Sequence, residues 1–489
     1  MPRHLVCLML LATCGASAQD KRPKEPPRPT PEVHNTIELP AAAHQPNDVA
    51  GSFTDPLTHE QVYRLSDRGL CPHGAIHIYS FSNQFSPKGR MVFDCYSDAA
   101  NRNAITHPIY GSDFKLLYRH AEQAAGFVNK YGRANTLKFV QWSLEREVLF
   151  GEAGLQILEL DPFGGKNRVF ADFANIKEVV NTADGKHVAI STAKDMSVGP
   201  GDRILVHLQC RMTDAGCPQN WEVVGIGVFD PATRQYHALY VPVPGDKAPI
   251  GFDEAQWTLN PAGRATFVYG NAPAYIYTSD LSSRVKMDDN HGHRAYFCGS
   301  NGRCYMARVK NDDGPKGGIG QIGCRDSSGK QLDPWRAEGG LYDDETGKRV
   351  LIFGCDVPGQ NPWQHFATSF GAKDVFGIST DRYTFPPSLQ RSYSMDEAIV
   401  RAKVSYSAGQ PSHVAFEVVA YHRSATGARS KLMGRGCDYW ATPRMVMDFT
   451  GRRSMFDSTM SHPEWPSTED GRVKADCLTD VYVAQYAGK

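Results

Sequence analysis

A short phrase of polar turn residues followed by an apolar strand recurs along this chain. The turn carries Gly-Arg or Gly-Lys in most copies, and apolar and polar positions alternate directly after it. Glycine permits the tight reversal and the alternation is typical of a half-buried strand, so each copy predicts an inner β-hairpin. The copies span residues 86–93, 143–150, 183–190 and 261–268, with three more centred on Gly302-Arg303, Gly347-Lys348 and Gly451-Arg452.

The spacing of these copies predicts the architecture. About seven copies, several of them roughly 40 residues apart, are typical of the blades of a β-propeller. A second apolar phrase, at 155–161, 224–230 and 275–281, resembles the outer strands of a blade, and long stripes of helical period are scarce. We therefore predict an all-β fold, a seven-bladed β-propeller of four-stranded antiparallel blades. The intervals 195–222 and 383–440 exceed a bare blade and predict loops or extended hairpins.

The N-terminal residues have the pattern of an export signal. Arg3 and His4 precede an apolar run over 5–12, and residues 16–18 form a small-x-small cleavage site. We predict a signal peptide over 1–18, a Pro-rich linker over 19–55 and the propeller domain over 56–489. No later stretch approaches the about 20 consecutive apolar residues of a membrane-spanning helix. The sequence therefore predicts a secreted or periplasmic protein without a transmembrane segment.

Cysteine usage agrees with export. Of 12 cysteines, Cys7 and Cys14 fall in the predicted signal, which leaves an even number for an oxidising compartment. We expect disulfides, and the nearest pairs in sequence are Cys210 with Cys217 and Cys298 with Cys304. The spacing does not prove either pairing. The CxxC spacing of zinc sites is absent from the sequence, so a metal–thiolate site is disfavoured.

Charge and known motifs exclude several functions. The chain has 53 Lys and Arg against 53 Asp and Glu, so no overall field would attract nucleic acid or an anionic membrane. A local basic pocket remains compatible with this balance. The sequence contains no GxSxG elbow, HExxH helix or phosphate-binding P-loop. Serine hydrolases, zincins and nucleotide hydrolases are therefore excluded.

Three histidines are candidate metal ligands. His291 and His293 stand at i and i+2 directly before an apolar strand, and residues two apart on an extended chain point to one face. Both imidazoles could then bind one divalent cation, with manganese, calcium and zinc not distinguished. His365 could complete the site. The alternative is a polar strand entry in which these histidines bond neighbouring backbone or face solvent.

A second group contains candidate catalytic residues. His77 leads into the first hairpin, and His107 lies in the connection after it with Tyr110 close by. A histidine and a tyrosine make a workable base and acid near neutral pH, so these three residues are our catalytic candidates. His73, Arg211 and Arg336 are candidates for substrate binding, since a guanidinium can hold a carboxylate with two hydrogen bonds. For each, a structural or solvated role is the alternative.

The first hairpin resembles a known family. Residues 60–66 (EQVYRLS) and 77–93 (HIYSFSNQFSPKGRMVF) look like the opening of the oligogalacturonate-lyase-type propellers, and Asn101-Arg102-Asn103 resembles the segment that follows it. Gly292-His293 resembles the Gly-His that supplies a metal-binding histidine in that family. The family's terminal His-Pro-His metal motif would fall near 440–444, where this chain has WATPR. Any metal-ligand set here therefore differs from the family's.

The resemblance implies a carbon–oxygen lyase that cuts an acidic oligo- or polysaccharide next to a uronic acid by β-elimination. Galacturonate specificity does not carry over, because propeller lyases acting on rhamnose–glucuronate linkages suit the chain comparably well. The alternative function is a non-catalytic docking or carbohydrate-binding propeller. A glycoside hydrolase would need two carboxylates roughly 5–10 Å apart, and no such pair stands out. Oligomeric state and endo or exo action are not predicted.

Overall fold

The computed structural model describes most of the chain after residue 49. The described residues are 50–67, 69–72, 74–76, 79–80, 82–96, 105–127, 137–176, 178–180, 187–210, 223–240, 252–269, 275–287, 293–309, 328–330, 339–355, 363–380, 398–422, 424, 443–458, 460 and 479–486.

Within these ranges the chain is almost entirely β-strand. The first twelve strands are β1 (Gly51–Thr54), β2 (Gln61–Arg64), β3 (Ala75–Ile76), β4 (Met91–Val92), β5 (Asp94–Tyr96), β6 (Ile105–Thr106), β7 (Ile109–Tyr110), β8 (Leu116–Tyr118), β9 (Lys138–Trp142), β10 (Leu149–Ala153), β11 (Gln156–Asp161) and β12 (Lys166–Asp172). The next ten are β13 (Glu178–Val180), β14 (His187–Ala189), β15 (Thr192–Val198), β16 (Ile204–Gln209), β17 (Val223–Asp230), β18 (Gln235–Tyr240), β19 (Phe252–Trp257), β20 (Arg264–Tyr269), β21 (Tyr275–Thr278) and β22 (Arg284–Lys286). The last are β23 (Arg294–Cys298), β24 (Cys304–Val309), β25 (Gly339–Asp343), β26 (Arg349–Phe353), β27 (Trp363–Ala367), β28 (Val375–Thr380), β29 (Ala398–Ser407), β30 (Gln410–Tyr421), β31 (Met445–Met447), β32 (Arg453–Ser458) and β33 (Asp480–Gln485). One short helix, α1 (Ala121–Ala124), and two 3₁₀ turns, Phe173–Asn175 and Pro200–Asp202, complete the described elements.

Consecutive strands form antiparallel sheets. Four-stranded sheets are made by β9–β12, β15–β18, β19–β22, β23–β26 and β27–β30, each pairing its strands in chain order. The predicted all-β class with four-stranded antiparallel sheets is confirmed. Two three-stranded sheets, β3-β5-β6 and β4-β7-β8, and the two-stranded sheet β13-β14 depart from that pattern.

The two ends of the described chain share one sheet. This terminal sheet has the order β1-β2-β33-β32-β31, and β2 pairs antiparallel with β33. Strand β1 lies within 19–55, the range predicted to be a linker. The boundaries of the predicted segments stay predictions. The pairing ties the first described strands to the last ones, so both ends are held by backbone hydrogen bonds.

The hydrophobic core consists of clusters that lie between neighbouring sheets. Apolar side chains of β9–β12 pack on those of β15–β18, β15–β18 on β19–β22, and β19–β22 on β23–β26. Further clusters join β23–β26 to β27–β30, and β27–β30 to the terminal sheet. Two more join the terminal sheet to the three-stranded sheets β3-β5-β6 and β4-β7-β8, and β4-β7-β8 to β9–β12. The first strand of one sheet often lies against that of the next, as β15 does against both β9 and β19. The first strands of neighbouring sheets therefore lie close together.

The recurring glycines occupy the tight turns that the sequence predicts. Gly89, Gly263, Gly302, Gly347 and Gly451 all have positive φ, a conformation that glycine adopts at little cost. The turns at Gly263, Gly302 and Gly451 join the first two strands of their sheets. The Gly347 turn instead joins β25 to β26, the outer pair. The inner-hairpin prediction is therefore wrong for that copy.

The long intervals differ from each other. Residues 195–209 belong mostly to β15 and β16, a hairpin within a regular four-stranded sheet, so a loop is wrong there and a hairpin is what the structure shows. The interval 383–440 contains β29 and β30, which form an extended hairpin. That part of the prediction is confirmed.

Two disulfides are described. Cys298–Cys304, a predicted pair, crosslinks register partners of β23 and β24. Cys71–Cys95 spans 24 residues. Cys210 and Cys355 are also disulfide-bonded, and Cys217, the predicted partner of Cys210, lies outside the described residues. None of the helices in the described part is long and apolar enough to cross a membrane.

Removing the Cys71–Cys95 crosslink should destabilise the protein more than removing Cys298–Cys304. The sequence separations are 24 and 6 residues, and a longer closed loop constrains the unfolded chain more. The difference from chain entropy is about 1 kcal/mol. Urea unfolding of the two paired Cys→Ser variants measures it. Equal losses would show that native-state contacts outweigh loop entropy at these crosslinks.

Candidate functional site

Side chains from four different sheet regions meet in one cluster. Tyr79 follows β3, His293 immediately precedes β23, His365 lies in β27, and Arg444 immediately precedes β31. The Tyr79 hydroxyl lies 3.4 Å from Nε2 of His293. The rings of His293 and His365 stack with centroids 4.3 Å apart. We call these four residues the His–Tyr–Arg cluster.

The remaining contacts join the cluster into one unit. Tyr79 meets His365 edge to face, with ring centroids 5.8 Å apart. The guanidinium carbon of Arg444 lies 4.9 Å from the centre of the Tyr79 ring, a cation–π distance. Each contact crosses between sheets, so the packing of the sheets fixes the geometry of the cluster.

Burial divides the cluster into two layers. His365 and Arg444 are each 1% exposed, whereas Tyr79 and His293 are half-buried. Tyr79 and His293 are therefore the members of the cluster that solvent reaches. The buried guanidinium behind them provides a fixed positive charge in surroundings where electrostatic interactions are weakly screened.

This arrangement suits proton transfer beside developing negative charge. An imidazole and a phenol within hydrogen-bonding reach can remove one proton and supply another near neutral pH. A guanidinium on the face of the phenol ring stabilises negative charge that forms there. A reaction that moves two protons and passes through an anionic species is the chemistry that these groups support.

The described residues do not complete a divalent-metal site. His293 and His365 supply two adjacent imidazoles, but Tyr79 and Arg444, their neighbours, are poor ligands for such an ion. No group of three or more His, Cys, Asp or Glu side chains placed to hold a metal occurs in the described ranges. His291, the third predicted ligand, lies outside them. Metal binding by these histidines stays a prediction.

The catalytic candidate His107 is fully buried between two carboxylates. Its Nδ1 lies 3.3 Å from Glu122 and its Nε2 lies 3.3 Å from Asp94. Burial lowers the pKa of His107, but hydrogen bonding and charge attraction from Asp94 and Glu122 outweigh it and raise the pKa to about 10. The histidine is therefore held as a cation in an acidic pocket. Its catalytic role stays a prediction.

The other predicted site residues divide into two groups. Tyr110 is buried, and its hydroxyl donates to the carbonyl of Leu65 at 2.6 Å. The remaining candidates lie outside the described residues, and their roles stay predictions: His73, His77, Arg211, Arg336 and His291. Of the nine candidates, the structure brings His293 and His365 together.

Two members of the cluster were not among the predicted site residues. Tyr79 stands in the same His/Tyr-rich segment as His77, and Arg444 stands where the resembled family has its terminal histidine motif. Residue type drew attention to both segments. Tyr79 and Arg444 meet although they lie more than 360 residues apart in sequence. Local sequence patterns carry no information about such contacts.

A separate cavity of about 710 Å³ lies on the turn side of the sheets, against the terminal sheet. Its wall includes Lys88, Asp448, Arg452 and Arg453, and it contains none of the four cluster residues. Asp448 accepts backbone hydrogen bonds within its own turn, and Arg453 packs over Phe114. Since Asp448 and Arg453 hold the turns and the packing around them, we favour the His–Tyr–Arg cluster as the reactive site.

Comparison with known proteins gives a likeness of fold. No protein-family model and no curated protein matches the chain. Among solved structures, an oligogalacturonate lyase in complex with manganese is 10% identical, with a TM-score of 0.52 over 90% of this chain and 96% of that one. The oligogalacturonate lyase of Vibrio parahaemolyticus is 11% identical, with a TM-score of 0.51 over 90% and 97%. At this identity the likeness is one of fold alone.

Proposed function

We propose that this protein is a lyase that cleaves an acidic polysaccharide or oligosaccharide next to a uronic acid by β-elimination. The observation that carries the proposal is the His–Tyr–Arg cluster, in which a half-buried histidine and a half-buried tyrosine lie together beside a buried guanidinium. The likeness of fold to oligogalacturonate lyases supports the same reaction class. Export to a secreted or periplasmic location belongs to this proposal, and the disulfides agree with it.

We infer that the sheets form a seven-bladed propeller. The five four-stranded sheets, the terminal sheet and the paired three-stranded sheets make seven units, and hydrophobic clusters link each unit to the next. The terminal sheet would then close the ring by joining the two ends of the chain, the usual way in which a propeller avoids free edges. The cluster would lie where the inner strands start, beside the central axis.

In the proposed reaction His293 removes the proton from C5 of the uronate. The electron pair left on C5 forms the C4–C5 double bond as the bond from C4 to the glycosidic oxygen breaks. Tyr79 donates its proton to that oxygen. Arg444 stabilises the resulting phenolate from the face of its ring. The protonated imidazole, 3.4 Å from the phenolate oxygen, then returns a proton to it and restores both groups.

The products distinguish this reaction from its rivals. A lyase gives chain ends that carry a C4–C5 double bond and absorb in the ultraviolet, because no water enters the bond. Incubation of uronate-containing polysaccharides in ¹⁸O-water, followed by mass spectrometry, should therefore give unsaturated and unlabelled ends. Saturated ends containing ¹⁸O would identify a hydrolase. Binding without cleavage of any such polymer would identify a docking or carbohydrate-binding protein.

A further inference from the structure

Two buried arginines face each other on neighbouring strands. Arg294 of β23 and Arg308 of β24 are direct register partners, and they are 3% and 4% exposed. In the described part of the protein, neither terminal nitrogen of the Arg294 guanidinium has a hydrogen-bond partner. Side chains directly opposite on antiparallel strands lie about 4.5–5.5 Å apart at Cβ, so two positive charges share one small region.

Two other buried arginines of this protein are each paired with a carboxylate. Arg64, also 4% exposed, donates from both Nε and Nη2 to Asp480. Arg401 does the same with Glu417 across β29 and β30. Arg294 therefore differs from Arg64 and Arg401, because the described residues give its terminal nitrogens no carboxylate.

The arginine pair lies on a different side of its sheet from the His–Tyr–Arg cluster. Side chains alternate along a strand, so Arg294 shares a face with Tyr296. Tyr296 packs with Ile276 and contacts Thr266, which places this face against the β19–β22 sheet. His293, by contrast, contacts His365 of β27. The pair therefore belongs to the interface between β19–β22 and β23–β26.

We propose that Arg294 and Arg308 bind a compact oxyanion, a carboxylate or an inorganic one, at this interface. The buried charge of Arg294 is strongly unfavourable without a counter-ion, and a like charge directly opposite adds to the cost. An anion held by guanidinium nitrogens removes both penalties, and the planar donor geometry matches two carboxylate oxygens. The carboxylate of a sugar acid and a small inorganic oxyanion present the same chemistry. This site does not depend on the proposed lyase activity.

Thermal unfolding tests the proposal with sodium acetate, sodium glucuronate and sodium sulfate, each against sodium chloride at equal ionic strength. A bound oxyanion should raise the melting temperature of the wild type in a saturable way. Arg294→Met should weaken the apparent affinity at least about tenfold, because it removes a charged hydrogen-bond donor. Arg168→Met is the matched control, since Arg168 is an exposed arginine paired with Glu159.

A second measurement covers the case in which the substitution alters stability itself. Without added oxyanion, Arg294→Met should melt at the same temperature as the wild type or higher, because it removes an uncompensated buried charge. When acetate or glucuronate is added, the melting temperature of the wild type should rise above that of Arg294→Met. Preference for glucuronate over acetate would indicate a sugar acid, and preference for sulfate an inorganic oxyanion. Shifts that are non-saturating, or equal in wild type, Arg294→Met and Arg168→Met, would overturn the proposal.

Discussion

Replacing His293 by alanine should lower kcat by about 10²–10⁴-fold, the usual contribution of a general base or acid. The imidazole lies 3.4 Å from the Tyr79 hydroxyl and is half-buried, so it can reach both a substrate proton and its partner. The melting temperature should change little, because the side chain is not part of a hydrophobic cluster. Initial rates of ultraviolet absorbance on a cleaved uronate polymer give the measurement.

Two further variants sharpen this test. Tyr79→Phe keeps the ring that packs against His365 and Arg444 and removes only the hydroxyl, so it should also lower kcat. His413→Ala is the control, since His413 is an exposed histidine of β30. Elemental analysis of wild type and His293→Ala tests the metal prediction in the same samples. Full activity in His293→Ala would remove the cluster from the mechanism.

Local pattern was enough to predict the class of fold and the sheet type. Gly263, Gly302 and Gly451 mark inner turns because a tight reversal with positive φ favours glycine wherever it occurs. The inner hairpin of β15 and β16 turns instead at Gly199–Gly201, without the recurring phrase. Gly347 carries the phrase at an outer turn. A turn signal therefore identifies a hairpin without fixing its position in the sheet.

The candidate site was predictable only in part. His293 was selected by residue type and by its position before a predicted strand, and His365 as a histidine that could complete the site; the structure places their rings in contact. Tyr79 and Arg444 join them through contacts between sheets that are distant in sequence. The burial of His107 was also not predictable, because it depends on Glu122 of α1 folding back over the β5 residue Asp94. Such long-range placement is set by packing and not by local pattern.

Replacing His107 by glutamine should destabilise the protein by about 3–5 kcal/mol, the usual cost of removing one partner of a buried ion pair. The substitution leaves Asp94 and Glu122 close together in the interior without the cation between them. Urea unfolding at neutral pH measures the loss, with His413→Gln as the exposed control. A large fall in kcat with unchanged stability would instead support the predicted catalytic role of His107.

The stability that His107 contributes should depend on pH with a definite sign. Its pKa is raised from 6.5 to about 10 in the folded protein, so folding favours the protonated form. The contribution is complete below pH 6.5 and is lost progressively as the pH rises towards about 10, because the unfolded chain then binds fewer protons than the folded one. The free energy of unfolding of the wild type should therefore fall over this interval. His107→Gln should lose that component of the fall, and parallel pH profiles for the two proteins would show that the carboxylates do not hold His107 as a cation.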